Sequence, residues 1–158
     1  MQSRVRRIGL SVGGALFLLA FLLVLAPVQA QGPVPFTEDF AGFTGAGFAP
    51  NPTSGQLDSD TWIVKGLSAG DLDFGDTGTS GDYARGSSAG GVSTGGVYAF
   101  NTGGGNTILG VQPGGSDWTP GDFRLKLQNG TGTAITQLDI SYEIWVLNNT
   151  SRANSLNF

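Results

Sequence analysis

The chain has 158 residues, eight basic and twelve acidic side chains, a formal net charge of −4, and neither histidine nor cysteine. Those absences exclude a Ser-His-Asp or Cys-His catalytic arrangement, an imidazole or thiolate metal site, and any disulfide. The excess of carboxylates, with no basic stripe, argues against nucleic acid and anionic membranes as partners.

Arg4, Arg6 and Arg7 precede an apolar stretch from Ile8 to Ala26, which closes on Pro27-Val28-Gln29-Ala30. A charged start, an apolar centre strongest from Ala15 to Ala26, and small residues at Val28 and Ala30 are the parts of a secretory signal peptide. Residues 1–30 are therefore expected to be removed by cleavage between Ala30 and Gln31, giving a secreted or cell-surface product with no membrane attachment. A retained anchor is the competing reading, since Ile8 to Ala26 nearly reaches the roughly 20 residues of a bilayer span. Gly13-Gly14 and the helix-ending Pro27 weigh against it. Cleavage leaves five basic against twelve acidic residues, net −7, in residues 31–158, enough for one domain.

Glycine supplies 24 of those 128 residues, and it falls between short apolar runs. No window after Ala30 sustains a 3.6-residue apolar period, whereas period-2 alternation recurs, so the expected class is all-β. Strands are expected at Phe36 to Phe40, Thr61 to Lys65, Gly96 to Phe100 and Thr107 to Val111, each aromatic or β-branched and bounded by turn formers. Residues 66–95 are mostly Gly, Ser, Thr and Asp and read as a long loop.

That loop holds Asp71, Asp73 and Asp76, with Asp82 six residues further on, the best candidate for a metal site. Calcium takes hard oxygen ligands from such loops, although Gly75 and Asp76 occupy the wrong positions for an EF-hand. Turn-supporting, solvated carboxylates are the plainer reading of the same residues. Asp58 and Asp60, beside Trp62, form a weaker carboxylate pair open to the same two readings.

Further along, Phe123, Leu125 and Leu127 alternate with polar residues, as do Leu138, Ile140, Tyr142, Ile144 and Val146. Both runs read as strands with one buried face, joined as a hairpin either tightly through Asn129-Gly130 or by a loop extended over Thr131 to Ala134. Trp145 falls on the opposite face beside Glu143. It is either covered by a loop or presented to a sugar, whose apolar face stacks on flat rings while Glu143 takes hydroxyls. Trp62, Tyr98 and Trp118 are expected in the core. Asp139 and Glu143 share a strand face about 13 Å apart at roughly 3.3 Å per residue, too wide for the paired carboxylates of a glycosidase. No catalytic set is expected within this chain. Ser155 to Phe158 resumes a strand-like alternation and stops, as in a sandwich cut short of its final strands.

The succession Phe36-Thr-Glu-Asp-Phe40, Leu57-Asp-Ser-Asp-Thr-Trp62, Gly81-Asp-Tyr-Ala-Arg-Gly86, Gly95-Gly-Val-Tyr-Ala-Phe100, Leu109-Gly-Val-Gln-Pro113 and Phe123-Arg-Leu-Lys-Leu-Gln-Asn129 resembles the first part of concanavalin-like jelly-roll domains. The resemblance implies an antiparallel β-sandwich near the front of a large secreted bacterial protein, and no activity of its own. Two functions fit it: a non-catalytic adhesive or weak glycan-binding module directed at polysaccharide or cell-surface components, or the leader of a secreted nuclease or phosphatase whose catalytic part lies beyond residue 158.

Overall fold

A computed structural model describes residues 35–147. The signal segment, its Ala30–Gln31 junction and the strand-like terminus Ser155 to Phe158 lie outside the described residues. Those described belong to one of the chain's two units, Val34–Phe158. The class is all-β: strands β1 (Phe43–Ala49), β2 (Gly55–Asp58), β3 (Trp62–Lys65), β4 (Ser87–Ser88), β5 (Gly96–Gly103), β6 (Asn106–Gln112) and β7 (Asp122–Leu125), with a single 3-10 turn at Gly81–Tyr83 among the described residues. No helix among them is long and apolar enough to cross a membrane.

The strands form three small sheets, β1-β2, β3-β7 and β4-β5-β6. Pairing is antiparallel in β3-β7 and β5-β6 but parallel in β1-β2 and β4-β5, which corrects the expectation of a purely antiparallel arrangement. One core joins all three sheets: Phe43 and Phe48 from β1, Leu57 from β2, Ile63 and Val64 from β3, Val97 and Ala99 from β5. Leu67 and Leu72 complete it from the long loop, so two leucines in a polar stretch are enough to fasten that stretch to the core. Burying a Leu side chain contributes about 1.5–3 kcal/mol, which offsets part of the entropy lost in ordering such a loop.

The strands expected at 61–65, 96–100 and 107–111 form, with β5 running three residues further, and the run from Phe123 forms β7 over Asp122–Leu125. Two other expected strands and the expected hairpin differ. Phe36 to Phe40 is irregular, and the first strand is Phe43–Ala49 instead. Its Gly45 and Gly47 have φ of 77° and 91°, and a Cβ there would sit 2.2 Å from the Gly86 oxygen and 2.1 Å from the Gly78 oxygen. These glycines let β1 approach the loop closely enough for Phe48 N–H to donate to Gly78 O at 2.9 Å and Gly86 N–H to Gly45 O at 3.0 Å. Residues that resemble strand breakers in sequence are here what allows the contact.

The hairpin at Asn129-Gly130 does not form. β7 pairs with β3, placing Phe123 opposite Val64 and Leu125 opposite Trp62. Phe123 also packs on Trp118, with ring centroids 4.6 Å apart. Asn129 turns its side chain to its own neighbours, accepting from Thr131 N–H at 3.0 Å and donating to Thr133 O at 2.7 Å. The nearest positive φ is at Gly132, 72°, so the two-residue turn geometry is missing. Leu125 and Leu127 are exposed, as are Leu138, Ile140, Tyr142, Ile144 and Val146, and the segment 134–147 carries no strand. The chain regains partial cover at Leu147, beside Gly90.

Candidate functional site

The four aspartates of the proposed metal loop are each committed to neighbours. Asp71 Oδ1 accepts from Gly66 N–H at 2.9 Å, and Asp76 Oδ2 accepts from Asp73 N–H at 3.0 Å. Asp73 takes the Lys65 ammonium, whose hydrogen bond and charge hold its carboxyl below the ordinary value. Asp82 is buried and accepts from Ser68 Oγ at 2.6 Å and Ala69 N–H at 2.9 Å, while its other oxygen pairs with Arg85. Those bonds, the Ser68 hydroxyl foremost, outweigh burial and lower its pKa. Among the described residues no group of three or more acidic side chains is gathered to hold a metal ion. The spacing in sequence reflects turns and ion pairs, and the calcium expectation has no assembled ligand set behind it.

Trp145 is 45% exposed and Glu143 lies fully in the exposed stretch, on a segment that is not a strand. The two readings of Trp145 thus resolve toward solvent, but the flat sheet face that was to support it is absent. Trp62 and Trp118 pack against the core and Tyr98 is buried within the fold, as their aromatic character suggested.

The structure forms a different site, from residues that sequence reasoning left among strands and turns. A cleft of about 580 Å³ opens between the segment 36–43 and the turn leading into β2, lined by Phe36, Phe40 and Trp62 with Glu38, Gln56 and Asp58 among the polar groups. Phe40 and Trp62 pack with centroids 5.3 Å apart, and Phe36 is exposed. The turn before β1 fixes the first ring. Glu38 Oε1 accepts from Phe40 N–H at 2.9 Å, Asp39 Oδ1 from Ala41 N–H at 2.9 Å, and Phe43 N–H donates to Phe40 O at 2.9 Å. Phe40 is held in the left-handed region, φ 54°, a conformation that costs a bulky side chain of order 1–3 kcal/mol.

The opposite wall is set by the turn into β2 and the turn into β3. Gln56 Oε1 accepts from Thr53 N–H at 2.9 Å and from its hydroxyl at 3.0 Å. Asp58 accepts from Asp60 N–H at 2.8 Å and, more weakly, from Thr61 Oγ1 at 3.4 Å. Each of these side chains keeps hydrogen-bonding capacity in reserve: Glu38 Oε2 and the Gln56 amide N–H groups have no partner among the described residues. The Trp62 indole N–H is itself buried without an acceptor. The Asp58-x-Asp60 pair beside Trp62 and the Phe36 to Phe40 run were visible in the sequence. What joins them across some twenty residues is the parallel pairing of β1 with β2, which short-range spacing does not encode.

No family model, curated protein or solved structure matches this chain. The class its fold defines is all-β, and its function rests on its own geometry.

Proposed function

We propose that the chain is an exported, non-catalytic β-sandwich module of the concanavalin-like jelly-roll kind that binds glycans at the cell surface or in secretions. The observation that carries this reading is the cleft of Phe36, Phe40 and Trp62 with Glu38, Gln56 and Asp58. A pyranose has an apolar face and a rim of hydroxyls that both donate and accept. Aromatic rings meet the face, and the free carboxylate oxygen and amide N–H groups meet the rim. An open, rigidly framed cleft of this size suits one or two sugar rings at modest affinity.

Retention on immobilised polysaccharides tests it. Phe36→Ala removes an exposed ring that supports no core, so it is expected to abolish retention while leaving the melting temperature within about 3 °C, as surface substitutions do. Trp145→Ala in parallel locates the site. Loss of retention with that variant alone moves the binding surface to the exposed segment, full retention by both overturns the cleft as the site, and no retention of the unmutated chain ends the glycan reading.

A further inference from the structure

Among the described residues the cleft's charged lining groups, Glu38 and Asp58, are both acidic, and no lysine or arginine lines it. The nearest cation among the described residues is Lys126, whose backbone N–H donates to Thr61 O at the cleft's edge. Among the described residues Lys65 is bound to Asp71 and Asp73, Arg85 to Asp82 and Arg124 to Asp122, while Lys126 lies over the Phe74 ring, 4.8 Å from its centroid. The twelve acidic residues of the chain add a negative field around the site. A uronic acid or a sulfated sugar entering the cleft would bring like charge against two carboxylates with no compensating cation among the described lining residues.

An amino sugar meets the opposite situation. Its ammonium offers three donors and a positive charge, matching the unpartnered Glu38 Oε2 and the remaining acceptor capacity of Asp58, while its ring still stacks on Phe36 and Phe40. Resting on the glycan reading above, we infer that this cleft selects amino sugars with a free ammonium, such as β-linked glucosamine oligomers, over their N-acetylated counterparts, and rejects uronates.

The test is calorimetric titration of the full chain, below neutral pH where the sugar amine is protonated, with three tetramers: glucosamine, N-acetylglucosamine and galacturonate. Glucosamine is expected to bind about five-fold or more tighter than the acetylated form, the factor for one charge pair near 4 Å in a water-like medium. Galacturonate should give no heat of binding, and the preference should shrink as salt is raised. Glu38→Gln keeps the acceptor that Phe40 N–H uses, and Asp58→Asn keeps an acceptor for its turn, so both variants should fold. Either is expected to bring the two glucosamine forms toward equal affinity without abolishing binding. Equal affinity of the two forms for the unmutated chain, or galacturonate binding at any comparable strength, overturns the selectivity while leaving a glycan site in place. Absence of binding by all three tetramers, together with no retention on neutral polysaccharides, overturns the glycan reading itself.

Discussion

Gly47 shows how a single position can decide a strand. Its φ of 91° and the Gly78 carbonyl 2.1 Å from where a Cβ would stand leave no room for any other residue, and the opposing atom is backbone that cannot rotate aside. Gly47→Ala should therefore destabilise the fold by about 3 kcal/mol, combining positive-φ strain with loss of the paired hydrogen bonds between Phe48 and Gly78. A denaturant midpoint measured beside that of Gly130→Ala checks it. The latter glycine has open space around it and no positive φ, so its replacement should be nearly neutral. In sequence the two glycines look alike, because what separates them is the carbonyl of a residue thirty-one positions away.

At the scale of elements, the long loop 66–95, fastened to the core by Leu67 and Leu72, is tied further by Asp82. Its carboxylate ties Ser68 and Ala69, at the loop's beginning, to Arg85, just before β4, and Asp117 fastens the same start by accepting from Ser68 N–H at 2.8 Å. Because folding lowers the Asp82 pKa, the stabilisation is complete above the ordinary carboxylate value of 3.8 and is lost as pH falls below it through the lowered folded value. Thermal melts are expected to be flat for this group from neutrality down to about pH 5 and to decline below about pH 4. Asp82→Asn should abolish that part of the decline and cost about 1–3 kcal/mol at neutral pH, since it leaves the Arg85 charge without its partner. The stretch from Leu138 to Val146 differs, being exposed and carrying no strand. Brief chymotrypsin treatment should cut first at Leu138, Tyr142 or Trp145 and leave the body that contains β1 to β7 resistant, as mass spectrometry of the fragments would show.

For the whole molecule, the decisive claim is export. A secreted preparation is expected to begin at Gln31, and N-terminal sequencing reads this directly; an intact Met1 would favour the retained anchor. With no cysteine, no disulfide ties the body together; nine clustered buried apolar residues from three sheets and one loop form its core, and the Asp82 and Asp117 hydrogen bonds add to it. Such a core is small for a domain without disulfides, and the surface stays rich in acidic turns and glycine.

The sequence by itself determined the class, because period-2 alternation and dense glycine leave no alternative to β structure. It also located β3, β5 and β6, whose apolar residues are contiguous, and β7, where Phe123 and Leu125 alternate with polar residues. The excluded chemistries follow equally from composition, since a histidine or thiol site cannot exist without the residues. Only the tertiary structure decided which strands pair. β7 pairs with β3, where Phe123 lies opposite Val64 and packs on Trp118, and the following apolar run is left unpaired by any strand. It likewise decided the candidate site, because Phe40 and Glu38 meet Gln56 and Asp58 only after β1 and β2 lie side by side. Local spacing records turns and alternation. Contacts between distant residues depend on how buried surface is shared across the whole body, and that balance is struck only in three dimensions.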